Sequence, residues 1–402
     1  MLAQAAARYR TFLREPDIVP LLVTSFLTRL PLGTLSLSLL LHVRSLTGSF
    51  ATAGAAVGAY LLLAAITAPL LGRIIDRRGP ALVLAVTGAA CPLALCVVLA
   101  AAPLALAPAT TIGAAGLAGA FAPPISVLTR TMWRYRFDDE RMRLIAYAID
   151  GVLVELAFTL GPALVALLLA VASPTAAFGG AVLLTALAVP LFFLSPALKY
   201  WHHQPDAERS LLGPLSEPRL IVVYVVTFLF TFCIGLTEIG YPGFATFAGA
   251  TALSGVLLAI YSFGSAVGGL VYGALHLHLP ADRQLPLILA AMALPLALQA
   301  LTASPWPLAT LAFLGGTLIA PVFALTAMLV TSIAPPRYAT EAFTWLSTCI
   351  VSGVGAGSAI GGRLLEGPGY TAVLGGAAAA VLGAAACATS LRLRALRVRA
   401  AR

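Results

Sequence analysis

Apolar stretches of about twenty residues recur from one end of the chain to the other, separated by short polar interruptions. A helix needs about twenty residues to cross the hydrocarbon of a bilayer. Stretches near 18–43, 52–72, 80–101, 108–129, 144–171, 176–195, 219–243, 250–275, 285–303, 307–333, 342–364 and 369–390 predict twelve spans. With no water inside the bilayer, each backbone N–H and C=O must pair within its own segment, so the spans are predicted as helices. Abundant Ala, Leu and Gly with little period-two alternation argue against an outer-membrane barrel. The pattern therefore predicts an all-α polytopic membrane protein.

Composition agrees. Of 402 residues, 60% are hydrophobic and 10% charged, with mean hydropathy +0.98. A soluble domain carries roughly 25% charged residues, so lipid must cover most of the outside. The net charge of +9 raises nucleic acid as a partner, but its distribution answers that. All but three of the 24 Lys and Arg residues fall in the N-terminal tail, the even-to-odd loops and the C-terminal tail. The three are Arg29 inside a span and Arg44 and Arg363 on the opposite side. This positive-inside bias predicts a multi-pass protein of the bacterial inner membrane with both termini cytoplasmic. The run Arg392, Arg394, Arg397, Arg399, Arg402 reads as an anchor beside anionic headgroups, and no nucleic-acid partner is expected. The first seventeen residues, with Arg8, Arg10 and Arg14, lack the features of a cleaved leader. The five cysteines lie in predicted spans and read as packing residues, with no metal site.

The chain also repeats itself. Glu15-Pro16 followed by VTSFLTRLPLG (23–33) recurs as Glu217-Pro218 followed by VVTFLFTFCIG (225–235). Gly54, Tyr60 and Gly72 recur as Gly255, Tyr261 and Gly273, and GAFAPPISVLT (119–129) recurs as GTLIAPVFALT (316–326). Gly161-Pro162 matches Gly357-Ser358. Four matches in order at an offset of about 200 residues predict two pseudo-symmetric six-helix bundles, residues 1–195 and 219–402, joined by a cytoplasmic loop at 196–218. Parallel halves related by an axis along the membrane normal are a transporter architecture, with substrate held between the halves near the midplane.

The loop after the second span reads Gly72-Arg-Ile-Ile-Asp76-Arg77-Arg78-Gly79. It resembles the signature of the major facilitator superfamily: Gly, three residues, Asp, Arg, any residue, Gly. Two basic residues that follow in the family are replaced here by Ala81 and Leu82, and the copy from Gly273 has lost the acid. DGVLVELAFTLGPALVALL in the fifth span and TEAFTWLSTCIVSGVGAGSAIGGRL in the eleventh are similar to bacterial drug or sugar efflux permeases of that superfamily. The resemblance implies its twelve-helix fold, alternating access and a gating role for Gly72, Asp76, Arg77 and Gly79. It also implies an inner gate in which Asp76 meets the N-terminus of the eleventh span. Of the glycine-rich antiporter signature in the fifth span, only Gly161-Pro162 is present.

Ionisable groups are costly inside a membrane and mark function by default. Arg29, Asp150, Glu155 and Glu238 qualify. Arg29 and Glu155 lie at similar depth, about 16 Å from the inner face at helical rise, which allows a pair if their helix faces meet. Ser25, Arg29, Gly33 and Ser36 share one face of the first span, and Thr227, Thr231, Gly235 and Glu238 share the equivalent face of the seventh. Both stripes are expected to line a shared cavity. Glu238 is expected to be its protonatable carboxylate and Arg29 the charge counterpart across the halves. Asp150 and Glu155 point about 140° apart on their helix, so one cavity cannot take both. Asp150 is expected nearer the cytoplasm, in a gating or packing role. Tyr241, Tyr261 and Trp345 are candidates for stacking on a ligand.

Other classes lose ground. The only lysine, Lys199, is followed by Tyr200, which excludes a Walker motif, and the histidines form no catalytic or metal-binding set. The expectation is a non-enzymatic secondary transporter, a monomer without cofactor, exchanging a small organic molecule by proton-coupled efflux. The alternative is a facilitator or importer of a small, possibly anionic, organic solute. A membrane enzyme or signalling subunit is the alternative of another class.

Overall fold

The structure, a computed structural model, describes residues 12, 14–137, 139–200, 213–274, 279–335 and 339–400. The side chains of Asp76, Glu140 and the tail arginines Arg392, Arg394, Arg397 and Arg399 lie outside the described set, as do Arg8, Arg10, Asp138, His276, His278 and Arg402. Among the described residues, twelve helices are long and apolar enough to cross a membrane. They are α1 (Ile18–Thr47), α2 (Phe50–Ile75), α3 (Pro80–Leu99), α4 (Pro108–Trp133), α5 (Ile145–Val171) and α6 (Pro174–Leu194). The second set is α7 (Pro218–Phe247), α8 (Leu253–Gly273), α9 (Ala281–Ala300), α10 (Pro305–Ile333), α11 (Glu341–Glu366) and α12 (Tyr370–Ser390). Every span expected from hydropathy is present, its ends displaced by about one helical turn at most.

Local chemistry sets the ends. Ser49 caps α2 by accepting from the Thr52 N–H at 3.0 Å, and Ser173 caps α6 by accepting from Ala176 at 3.1 Å. Pro80, Pro108, Pro174, Pro218 and Pro305 start their helices, where a missing N–H costs nothing. Gly48 and Gly249 turn the chain out of α1 and α7 at φ 71° and 68°, a conformation other residues resist. They stand at equivalent places in the two halves.

Three spans are interrupted. α1 breaks at Thr28–Arg29 ahead of Pro31, and α4 breaks between Ala120 and Ile125 at Pro123-Pro124. α10 breaks at Thr317–Leu318 ahead of Pro321. Proline removes a backbone donor and crowds the preceding turn, which explains each position. α7, the partner of α1 in the repeat, has no proline at the matching place and stays continuous.

The sequence repeat reappears as repeated helix crossings. A Cβ on Gly33 would strike the Ala157 backbone and Gly161, so α1 and α5 touch main chain to main chain. A Cβ on Gly235 would strike Val354 and Ser358, and one on Gly357 would strike Phe232, giving α7 and α11 the same contact. Gly119 lies against Tyr60 in the α4–α2 crossing, and Gly316 against Tyr261 in the α10–α8 crossing. Small residues at such crossings let helices approach closely in lipid. The two six-helix bundles then meet in two principal seams, α2 with α11 and α5 with α8.

Candidate functional site

In the first half, Arg29 sits at the break in α1, where it is 1% exposed. Its Nη2 lies 2.7 Å from Asp150 Oδ1 of α5, itself 2% exposed, as an ion pair with poor hydrogen-bond alignment. Arg29 also donates to Ser25 and, from Nε at 3.5 Å, to Ser126. Asp150 accepts from Trp133 Nε1 at 3.3 Å and from Arg130 Nε at 3.4 Å. Two charges taken out of water stay ionised only when paired and hydrogen-bonded, and this network supplies both.

This corrects two expectations. Arg29 pairs with Asp150 and not with Glu155, because Asp150 occupies the face of α5 that packs on α1. Arg29 is therefore paired within its own half and does not face Glu238 as a charge counterpart. Glu155 projects to the other side of α5, half-buried beside Ser265 of α8, in a seam between the halves.

The two polar stripes are also placed differently than expected. Gly33 packs on α5 and Gly235 on α11. Thr231 is fully buried and its hydroxyl donates to the Thr227 carbonyl at 2.9 Å and to the Cys349 carbonyl of α11 at 3.3 Å. Most of each stripe is thus a packing seam within its half. Small polar residues serve that purpose as well as they serve water, and helical period alone does not distinguish the two. Only the outer ends of the stripes, Ser36 and Glu238, are half-exposed. Trp345 is half-buried on α11.

Around Glu238 the second half holds an unusual group. Tyr241 of α7 and Tyr261 of α8 are buried and meet edge to face, ring centroids 5.6 Å apart. Gln299 of α9 lies beside Tyr241, and Glu238 beside Tyr261. Yet Glu238 Oε2, both tyrosine hydroxyls and both amide atoms of Gln299 are buried without a well-aligned protein partner. Each such group costs about 1–3 kcal/mol.

The seams between halves are tight on the outer side. Near the outer face Gly54 and Gly58 of α2 lie against Ser358, Ala359 and Gly362 of α11, and Gly255 of α8 lies against Pro162 and Ala166 of α5. Glu366 at the outer end of α11 accepts from the Ala51 N–H at 2.9 Å, placing a carboxylate on the N-terminus of α2. Toward the inner face, Gly72, Gly151 and Gly273 have open space where a Cβ would stand. The molecule is closed on its outer side. Gly161 is consumed in the contact with Gly33, and Pro162 in the contact with Gly255. Arg77 is exposed, and Gly79 turns the chain at φ 85°.

A sequence profile described as Major Facilitator Superfamily matches residues 21–298. The chain belongs to the major facilitator superfamily. Among solved structures, that of a point mutant of the nucleoside transporter NupG has the same fold, with TM-score 0.75 at 17% identity over 93% of this chain and 99% of that one. The structure of NupG without that substitution gives TM-score 0.70 at 15% identity over 93% and 98%. Among curated proteins no sequence matches. As a member of the superfamily this protein is a multi-pass inner-membrane secondary transporter of a small molecule, not an enzyme.

Sequence reasoning passed over Trp133, Gln299 and Glu366. Gln299 carried a signal, being the lone amide in the otherwise apolar stretch Leu285–Ala300 of α9. Trp133 and Glu366 carried none, since their roles come from neighbours on other helices.

Proposed function

We propose that this superfamily member takes up a small, uncharged, polar organic solute by alternating access, working as a monomer and moving a proton with it. The observation that carries the reading is the charge of the inter-half surface. Of the acids inside the membrane, Glu155 stands at that surface and Glu238 within the second half, and neither has a basic partner among the described residues, while Arg29, the cation that would attract an anion, is held by Asp150. An anionic solute is therefore disfavoured. Full-length likeness of fold to a nucleoside transporter supports a polar solute of nucleoside type.

In this reading Glu238 takes and releases the coupled proton and Glu155 faces the passage between α5 and α8. Ser36 lines the passage and Trp345 forms its aromatic side, while Tyr241 and Tyr261 stand buried beside Glu238. Gly72, Asp76, Arg77 and Gly79 form the inner gate, which closes on α11 when the outer seam opens. The working units are residues 1–195 and 219–402, with 196–218 as the linker. The efflux reading rests on the likeness of the fifth and eleventh spans to efflux permeases; of the antiporter signature only Gly161-Pro162 is present, and both residues make packing contacts here.

Purified protein in proteoliposomes, given labelled nucleosides, organic anions and organic cations under an imposed pH gradient, tests this. Uptake of nucleosides driven by inward proton flow, with Glu238→Gln retaining exchange but losing accumulation, is the expected result. Accumulation in the opposite sense to the proton gradient establishes efflux, and preference for an anion refutes the charge argument.

A further inference from the structure

The buried polar group around Glu238 is absent from the other half. Repeat-related positions follow from the Gly33–Gly235 and Tyr60–Tyr261 matches and from the starts of α3 and α9 at Pro80 and Ala281. They place Ser36 where Glu238 stands, Leu39 for Tyr241, Tyr60 for Tyr261 and Val98 for Gln299. The fold forms in the first half without a carboxylate, a second tyrosine or an amide there. Packing alone does not call for them in the second half.

These residues come from three helices, so no local turn explains them. Tyr241 and Gln299 are 0% exposed and Tyr261 3%. Cys233 and Thr237 border the tyrosines; the Thr237 hydroxyl donates to the Ile234 carbonyl at 2.7 Å, and its oxygen offers Tyr261 an acceptor, as Gln299 offers one to Tyr241. Gln299 brings two donors and an acceptor, each tyrosine a donor and an acceptor, and Glu238 a carboxylate, all converging from α7, α8 and α9. Polar groups buried in this way are ordinarily satisfied by internal water, which needs two to four polar partners.

We propose that Glu238, Tyr241, Tyr261 and Gln299 enclose a bound-water site inside the second half, through which Glu238 receives and gives up its proton. This rests on the reading of Glu238 as the coupling residue. A hydronium at the site transfers one proton to the Glu238 carboxylate, leaving neutral water and a carboxylic acid, and the return step reverses this. Tyr241, Tyr261 and Gln299 are positioning residues that hold the water. The titratable groups nearest are Tyr261 from α8 and Tyr241 and Cys233 from α7. α9 presents the neutral Gln299. Arg363 and Glu366 of α11 are exposed at its outer end, and Tyr370 of α12 packs on Phe244 and Phe247. Among the described residues α10 carries no charged side chain.

Hydroxyl-radical footprinting of the folded protein in nanodiscs reads the water directly, because radiolysis of bound water labels the side chains beside it. Tyr241 and Tyr261 should be labelled several-fold above Phe230 and Phe244, aromatics buried to the same degree. Gln299→Leu should lower that labelling and shift the pH midpoint of proton-driven uptake. Labelling no greater than that of the two phenylalanines overturns the proposal. So does a rise in Tm for Gln299→Leu, Tyr241→Phe and Tyr261→Phe with the pH profile unmoved, which is the behaviour of a dry cluster. If Glu238→Gln leaves accumulation intact, the coupling assignment has failed. If it abolishes accumulation while the other three variants behave as wild type, only the water site has failed.

Discussion

Arg29 and Asp150 are each almost fully buried, and removing either strands a charge in an apolar bundle. Breaking such a pair from one side costs about 3–5 kcal/mol, whereas replacing both members with apolar residues is often neutral. Asp150→Ala is expected to lower the thermal stability of the purified protein sharply, and Arg29→Leu combined with Asp150→Leu to recover much of it. Thermal unfolding in detergent measures both. A double variant no more stable than the single one would show that the network does more than balance charge. Trp133→Phe deletes one donor to Asp150, a loss of about 1–3 kcal/mol if the acceptor stays unpaired. Since Arg29 is buried and paired with Asp150, its variants are expected to change stability without changing preference among anionic and neutral solutes, which competition assays on folded protein decide.

At the scale of helices, the outer seam depends on what α2 and α11 leave out. Gly355 faces Leu61 and Leu62, and Gly58 faces Ala359, with no room for a larger side chain at either glycine. Gly355→Leu is expected to hold the halves apart on the outer side and make the cavity reachable from outside, read by labelling of an introduced cysteine with an impermeant reagent. Glu366→Gln should do so more weakly. A carboxylate at an exposed helix N-terminus contributes about 0.3–1 kcal/mol, so the outward-open population should rise only a few-fold. The inner gate is the counterpart. Asp76→Asn is expected to leave the protein folded and slow transport, and normal cycling by a well-folded variant would remove Asp76 from the gate.

For the whole molecule, closure outside describes one end of an alternating cycle, and the other end requires the outer parts of the α2–α11 and α5–α8 seams to separate. Ala359 Cβ stands 2.7 Å from where a Cβ on Gly58 would lie, close enough for cysteines at the two positions to bridge after a small shift. In a background without the five native cysteines, Gly58→Cys with Ala359→Cys is expected to stop transport on oxidation and regain it on reduction. Transport that continues through a fully formed cross-link would show that the outer seam need not open.

Hydropathy determined the twelve spans, and the arginine distribution their orientation, because the cost of polar groups in lipid acts on each segment separately. The repeat was legible too, since Gly33 and Gly235 or Tyr60 and Tyr261 hold equivalent crossings that tolerate little change. The same cost of burial singled out Arg29, Asp150, Glu155 and Glu238 as residues needing an explanation. Partnership was not legible. Whether Arg29 meets Asp150 or Glu155 depends on the rotation of α5 against α1, which is fixed by Gly33 against Ala157 and Gly161, residues far apart in the chain. The stripe on α7 could face water or α11, and only the packing of Gly235 on Val354 decided for α11. Gln299 joins Tyr241 and Tyr261 only because α7, α8 and α9 bring them to one depth and one face. Those contacts lie between helices, and the period of a single helix carries no record of its neighbours.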